Sequence, residues 1–345
     1  MAAQSWAPSG TAPTQSARPL ARPAPPTRLL PRVEKPAALP GSAARLLLFA
    51  GKGGAGKTTL ACATALRLAR ECPGKRILLF SADPAHSLSD CLATPVGGSE
   101  TRICPGLAAL ELDAEAELER LKARYVDEAQ AFFSSLTGQG SFDLAFDRDV
   151  VERIMDLAPP GLDEVMALTR AMDLLHERRC DILVVDTPPT GHLVRLLELP
   201  ELIQDWLRVF FDLLLKYRRV LQLPKIADFM VGMSKSIKAL RALMTDAQEA
   251  QLYAVSPLAE MALAETRDLL AACARMGIHV PALFLNLATP PSRCPLCRAL
   301  AHAESRVRAR FEEACRGVHL ALVYRCGEPQ GLDRLNALGQ ALYAK

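Results

Sequence analysis

A glycine-rich segment, GKGGAGKT at Gly51–Thr58, constrains this chain more than any other feature of its sequence. An apolar run, Leu46–Ala50, comes directly before it, and residues 59–70 after it have the 3.6-residue apolar spacing of a helix. A strand, a glycine loop and a helix in this order form the context of a phosphate-binding loop. Glycines let consecutive backbone N–H groups turn toward phosphate oxygens, and the helix N-terminus adds its dipole. The segment therefore predicts that the chain binds a nucleoside triphosphate.

Individual residues of this loop have predicted roles in binding the nucleotide and its Mg²⁺. Lys57 neutralises the terminal phosphates, and the Thr58 hydroxyl binds Mg²⁺. ATP and Mg²⁺ are accordingly the first two predicted cofactors. The predicted nucleotide-binding residues of the loop and its helix are Gly51, Lys52, Gly53, Gly54, Ala55, Gly56, Lys57, Thr58 and Thr59.

Short apolar runs alternate with helical patterns from residue 45 onward. Because these runs are apolar throughout, rather than at every second position, both faces of their sheet must be covered. We therefore predict an α/β fold with a doubly wound, mainly parallel sheet. Two long segments, residues 114–175 and 193–256, have helical patterns without convincing strands and predict an inserted helical subdomain. The predicted strands are Leu46–Ala50, Arg76–Ser81, Ile182–Asp186, Ala282–Asn286 and His319–Val323.

Residues 1–44 differ in composition from the rest of the chain. They hold nine of the 25 prolines, five basic residues and one acidic residue, which predicts a disordered tail. Such a segment also resembles an organellar transit peptide, so an organellar location is the alternative to a cytoplasmic one. Without the tail, the predicted ATPase domain at residues 45–345 is close to neutral, which argues against nucleic acid as a partner.

Lys52, which follows the first glycine of the loop, refines the prediction. A lysine at this place is typical of the deviant phosphate-loop ATPases, which include partition and septum-site ATPases and the nitrogenase iron protein. In that class the lysine reaches the phosphates of a partner subunit and acts like an arginine finger. A solvated surface lysine is the other interpretation.

Two acidic residues follow predicted strands. Asp83 lies just beyond the second strand, where it either orients the attacking water or caps a helix ahead of Pro84. Asp186 ends the ILVVD run, and an acid at this place opposite a phosphate loop holds Mg²⁺ through a water molecule.

Three segments together resemble the family of arsenite-pump and tail-anchored-protein-targeting ATPases. They are the loop with Lys52, DPAHSLSD at Asp83–Asp90 and DTPPTGHLVRLL at Asp186–Leu197. Further matches are PPGLDE at 159–164, ETR at 265–267, Asn286 and GEPQGL at 327–332. The resemblance covers residues 45–345.

The resemblance implies more than the residues alone. Asp83 becomes the catalytic acid, Lys52 acts across a homodimer, and Asn286 contacts adenine. A family glutamate that reaches the partner's nucleotide corresponds to Ala259 here, so the neighbouring Glu260 is the candidate. The helical segments imply a groove for the transmembrane segments of client proteins, with a membrane receptor or carrier as a further partner.

Cys294 and Cys297 form one Cys-x-x-Cys pair among ten cysteines. Structural zinc normally takes four ligands, and two subunits of a symmetric dimer would supply them. The resemblance implies this shared zinc for the targeting branch. A redox disulfide and an incidental spacing are the alternatives.

These observations predict an ATP hydrolase that captures and delivers hydrophobic clients, foremost tail-anchored membrane proteins, and is peripheral to a membrane during delivery. The alternative is an arsenite or antimonite pump-driving ATPase that energises a membrane carrier, with Cys91, Cys104 and Cys180 as metalloid ligands. A positional switch like the septum-site ATPases is disfavoured, because residues 332–345 carry only Arg334 and Lys345 as basic groups.

Overall fold

The computed structural model describes most of the predicted ATPase domain and part of the segment before it. The described residues are 30–81, 87–112, 170, 172–187, 224–327 and 329–344, with side chains of 224–230 and 233 excepted. Among them, no helix combines the length and the apolar character needed to cross a membrane.

A nine-stranded sheet forms the centre of the described fold, in the order β1-β9-β8-β7-β2-β6-β3-β5-β4. Its strands are β1 (Val33–Glu34), β2 (Leu46–Gly51), β3 (Ile77–Ser81), β4 (Thr101–Cys104), β5 (Leu107–Glu111), β6 (Ile182–Asp186), β7 (Ala250–Pro257), β8 (Ala282–Ala288) and β9 (His319–Tyr324). Neighbouring strands are parallel except at the two edges, where β1 pairs with β9 and β4 with β5 in antiparallel fashion. The predicted mainly parallel α/β fold is confirmed.

Six helices are described around this sheet. They are α1 (Lys57–Glu71), α2 (Ser87–Leu92), α3 (Pro224–Thr245), α4 (Glu260–Met276), α5 (Pro295–Ala314) and α6 (Leu332–Leu342). The central strands are buried along their whole length, and two separate apolar clusters cover the two faces of the sheet. The continuous apolar character of the strands follows from this double coverage.

The order of strands reverses at β2. From β2 the chain continues to β3 on one side, and it later builds β7, β8 and β9 on the other side. In doubly wound sheets, ligands bind at the carboxyl ends of the strands where the winding changes direction. The glycine loop, which follows β2 directly, lies at this point.

The start of the folded region differs from the prediction. β1 lies within the segment predicted to be disordered and pairs with β9. Ala37 is buried, donates its N–H to the carbonyl of Leu342 and accepts the N–H of Ala344. The predicted boundary at residue 44 is therefore wrong for this part, because pairing with distant strands supplies the burial that local composition lacks. Residues 1–29 lie outside the described residues.

The boundary of the second helical segment also needs correction. Strand β7 begins at Ala250, inside the range 193–256 that was predicted as helical. β7 is buried between β2 and β8, and its hydrogen bonds to both neighbours determine its conformation. Helix α3 and the helical residues 172–176 agree with the prediction. The remainder of both predicted segments lies outside the described residues.

Glu34 connects β1 to β9 and α5 through side-chain hydrogen bonds. The Tyr324 hydroxyl donates to Glu34 Oε1 at 2.6 Å, and Arg308 donates to Oε2 at 3.3 Å. These partners, the Tyr324 hydroxyl first, hold the pKa of Glu34 below its ordinary value of 4.5.

We predict that Glu34→Gln lowers the melting temperature at neutral pH by roughly 1–3 °C, a small effect because the site is partly exposed. A lowered pKa in the folded state means that the ionised carboxylate stabilises the fold above pH 4.5, and that this contribution is lost as the pH falls through the folded-state pKa. Thermal unfolding at about pH 7 and about pH 3 should therefore show a difference that disappears in acid. Glu313→Gln, at an exposed position of α5, is the control. A difference that persists at low pH would contradict the assignment.

Candidate nucleotide and magnesium site

Three glycines give the loop between β2 and α1 its shape. A Cβ atom at Gly51 would lie 1.9 Å from the carbonyl oxygen of Val255 on β7, so no other residue fits there. Gly54 and Gly56 have φ values of 75° and 89°, in the left-handed region that favours glycine. The sequence pattern therefore reflects both close packing against the neighbouring strand and the turn of the backbone.

Asn286 holds the loop from the side of β8. It is buried, and its Nδ2 donates to the carbonyl oxygen of Ala55 at 2.8 Å. A Cβ atom at Gly56 would approach this Nδ2 to 2.4 Å. The described contact of Asn286 is thus with the loop backbone, while the contact with adenine stays a prediction.

A hydrogen-bonded cluster of oxygens lies where α1 begins. The Thr58 hydroxyl donates to Asp186 Oδ2 at 2.6 Å, and the Ser87 hydroxyl lies 3.1 Å from the Thr58 hydroxyl. Asp186 ends β6 and is fully buried. The next residue, Thr187, donates its hydroxyl to the carbonyl of Phe49 at 2.8 Å, which fastens the end of β6 to β2.

These donors fit the predicted Mg²⁺. Hydroxyl and carboxylate oxygens are the ligands that Mg²⁺ prefers, and the cluster contains no competing nitrogen or sulfur ligand among its three members. Thr58 and Asp186, the two residues predicted for this role, lie together as expected. Lys57 is buried beside them at the first turn of α1.

Lys52 forms an ion pair within the chain. Its Nζ lies 2.6 Å from Glu265 Oε1 on α4, and both side chains remain about a third exposed, at 33% and 39%. The sequence showed Glu265 only as part of a short motif and did not reveal this pairing. Glu260, at the exposed start of α4, forms an ion pair with Arg310 of α5, and its contact with nucleotide stays a prediction.

The Cys294 and Cys297 thiols lie at the beginning of α5. Cys294 is exposed and Cys297 is partly buried. The backbone N–H groups of Cys297 and Leu296 hold the pKa of the Cys294 thiol below its ordinary value. Within the described part of the chain, no group of three or more His, Cys, Asp or Glu residues is placed to hold a metal ion. The chain therefore offers two thiols here, whereas a structural zinc ion normally takes four ligands.

The DPAHSLSD segment contains two residues that matter for the site. Asp83, the predicted catalytic acid, lies outside the described residues. The sequence pattern predicts no role for Ser87, and only its distance from Thr58 places it in the oxygen cluster.

We predict that Lys57→Ala lowers ATP affinity at least about a hundredfold, because the loop lysine neutralises phosphate charge that backbone N–H groups alone do not balance. Equilibrium binding of a fluorescent ATP analogue measures the effect. Lys238→Ala, at an exposed position of α3, is the matched control and should bind like the wild type. Tight binding by Lys57→Ala would contradict the assignment of the loop.

Comparisons with known proteins agree with the motifs. ATPase get3 of Schizosaccharomyces japonicus is 27% identical over 88% of this chain and 96% of its own length. Putative arsenical pump-driving ATPase 2 of Aquifex aeolicus is 27% identical over 86% of this chain and 99% of its own length. Arsenical pump-driving ATPase of Escherichia coli is 38% identical, but over 45% of this chain and 25% of its own length.

The description of the matching family is anion-transporting ATPase, and the match covers residues 44–344. This range includes the glycine loop, the Thr58–Asp186 pair and the whole described sheet except β1. The family resemblance seen in the sequence motifs is thereby confirmed, together with the expectation of ATP hydrolysis. With its phosphate loop at the switch point of a parallel sheet, this chain belongs to the anion-transporting ATPase family and is an ATP hydrolase.

Proposed function

We propose that this ATPase works as a homodimer that captures hydrophobic clients, foremost tail-anchored membrane proteins, and delivers them to a membrane receptor. One relative named ATPase get3 and one named putative arsenical pump-driving ATPase 2 both match over nearly their full lengths, so the length of these two relatives does not separate the two functions. The observation that carries the proposal is the exposed first half of α5, where the cysteine pair lies.

The first three turns of α5, Pro295–Arg306, have no buried side chain, and the buried residues of the helix begin at Val307. Two leucines one helical turn apart, Leu296 and Leu300, are 68% and 48% exposed in these turns. Exposed leucine side chains that lie close together on one helix end are typical of a protein–protein contact. They support a contact between subunits at this point.

The cysteines fit the same contact. Cys297 lies between the two leucines on the same helix, and Cys294 precedes it by one turn. Two copies related by a two-fold axis would bring four thiolates to one tetrahedral zinc ion. We therefore propose zinc as a structural cofactor that joins the two subunits.

Lys52 links the dimer to hydrolysis. In the single subunit its ammonium group pairs with Glu265. We propose that closure of the dimer on ATP moves Lys52 to the partner's phosphates, while Asp83 positions the attacking water. An exposed ion pair is weak, with a net value of about 0–1 kcal/mol, so phosphate oxygens compete with it readily.

The client site is proposed for the helical segments within residues 114–175 and 193–256, with β7 excluded. The helical pattern of these segments and their excess of Phe, Leu and Met side chains support an adaptable apolar groove. We further propose a cytosolic location, with membrane contact during delivery, and no nucleic-acid partner. Asn286 and Glu260 complete the proposed nucleotide site.

Metalloid pumping is the second candidate, because some relatives carry that name. Within the described residues, the cysteines predicted for it do not form a group of three or more ligands placed to hold a metal ion. Burial raises the pKa of Cys180 to about 12, and burial also raises the pKa of Cys104. Only the pKa of Cys91 lies below its ordinary value among these three, and that thiol is buried.

We predict that co-expression with a hydrophobic helical membrane-tail peptide yields a soluble complex, because a shielding groove prevents the peptide from aggregating. Asp83→Asn should increase the amount of complex recovered with ATP, since hydrolysis releases the client. Co-purification on a tagged peptide measures this, with a tail interrupted by charged residues as the control. If no complex forms and antimonite stimulates ATP hydrolysis several-fold, the pump function replaces the proposal.

We predict about one zinc per two chains in the purified protein, because each subunit supplies two of four thiolates. Cys294→Ser should lose the zinc and shift the protein toward monomer, whereas Cys326→Ser, outside the pair, should change neither. Elemental analysis and light scattering measure the two quantities. A metal-free wild-type dimer would show that the cysteine spacing is incidental.

A further inference from the structure

Ser87 is a hydroxyl-bearing residue next to the cation site. It is the first residue of α2, and its Oγ lies 3.1 Å from Thr58 Oγ1. Thr58 itself donates to Asp186 Oδ2 at 2.6 Å. Three oxygens, one from α1, one from α2 and one from the end of β6, therefore converge on one place.

Each hydroxyl hydrogen of this cluster can be assigned to one acceptor. A hydroxyl has one hydrogen, and that of Thr58 is donated to the Asp186 carboxylate, which only accepts when ionised. In the contact between the two hydroxyls, Ser87 must then be the donor and Thr58 the acceptor. A cation that binds the Thr58 oxygen occupies this acceptor site. Rotation of the Ser87 hydroxyl then turns its lone pairs toward the same cation.

The spacing of the two hydroxyls suits such a shared cation. Mg²⁺ binds oxygen at about 2.0–2.1 Å with octahedral geometry, so adjacent ligand oxygens lie about 2.9 Å apart. The Thr58 and Ser87 oxygens, at 3.1 Å, are already close to this separation. The two side chains can therefore act as neighbouring ligands without a large movement of α2.

A buried carboxylate holds Ser87 where it is. Glu111, the last residue of β5, is 3% exposed, and its Oε1 accepts the N–H of Leu88 at 3.2 Å. Its Oε2 lies 3.4 Å from the Ser89 hydroxyl. Leu88 is fully buried in the apolar cluster beneath α1. The two residues that follow Ser87 are thus tied to the sheet and to the core, and the position of the Ser87 backbone follows from them.

We propose that Ser87 is a further oxygen ligand of the Mg²⁺ that accompanies ATP, and that Glu111 is the positioning residue that holds it there. The proposal rests on the proposed function in one respect, since it takes Mg²⁺–ATP to bind at Thr58 and Asp186. Its consequence is that the cation connects α1 and β6 to α2, so that the placement of α2 responds to the occupancy of the site.

The test uses the full chain and a fluorescent, non-hydrolysable ATP analogue, titrated with MgCl₂ and compared with EDTA. Ser87→Ala should raise the Mg²⁺ concentration for half-maximal enhancement of binding roughly tenfold, with the affinity in EDTA unchanged. Ser87→Thr, which keeps the hydroxyl, should restore the wild-type requirement. Ser305→Ala is the matched control, because this exposed serine of α5 bonds only to the carbonyl of His302 among its described hydrogen bonds.

The role of Glu111 is tested by the same titration. Glu111→Ala should raise the Mg²⁺ requirement, and the double variant with Ser87→Ala should raise it no further than Ser87→Ala alone, since both act through one oxygen. Glu111→Gln, which keeps an acceptor for the Leu88 N–H, should lie between the wild type and Glu111→Ala. If Glu111→Ala does not fold, Glu111→Gln alone tests the role of Glu111.

The outcomes separate this inference from the proposed function. An unchanged Mg²⁺ requirement in Ser87→Ala would overturn the inference and leave Ser87 as a hydrogen-bond donor to Thr58. A further increase in the double variant would overturn the assignment of Glu111. A wild-type chain that binds no ATP analogue under any condition would instead overturn the nucleotide site itself.

Discussion

The central position of β2 in the sheet is the constraint on which the site depends. This strand is hydrogen-bonded along its length to β6 on one side and to β7 on the other, both parallel to it. Parallel pairing brings the carboxyl ends of these strands to one edge, where the chain leaves β2 at Gly51. The Val255 carbonyl of β7 lies so close that a side chain at this position has no room. The phosphate loop is therefore shaped by the packing of neighbouring strands as much as by its own glycines.

Around that edge, each element contributes one polar group. α1 supplies Thr58, β6 supplies Asp186, α2 supplies Ser87 and β8 supplies Asn286. Asp186 and Asn286 are buried, and buried polar groups are costly unless they are hydrogen-bonded. Here Asp186 accepts from Thr58 and Asn286 donates to the loop backbone, so these hydrogen bonds hold the elements of the site together.

Two other described features support the proposed homodimer. Lys52 pairs with Glu265 at the surface, and the first half of α5 extends from the fold with two exposed leucines and two cysteines. In the proposed homodimer, a second copy would offer Lys52 phosphate oxygens and would bring the exposed ends of two α5 helices together.

The amino-acid sequence predicts the phosphate loop, five strands of the sheet (β2, β3, β6, β8 and β9) and the roles expected of Lys57, Thr58 and Asp186. These follow from local patterns: the glycine spacing, the continuous apolar runs and an acid at the end of a strand. Strands β1, β4, β5 and β7 escaped prediction, because their pairing with neighbours, rather than their own periodicity, determines their conformation.

The contacts between groups far apart in the sequence follow from the tertiary structure. The Lys52–Glu265 pair joins residues 213 positions apart, and the Thr58–Asp186 bond spans 128 positions. The placement of Glu34 against Tyr324 and of Ser87 against Thr58 belongs to the same category. The sequence around a residue, together with its type, indicates which groups its side chain can bind. Which partner it reaches depends on the order of the strands and on the packing of helices across them, and these are properties of the whole fold.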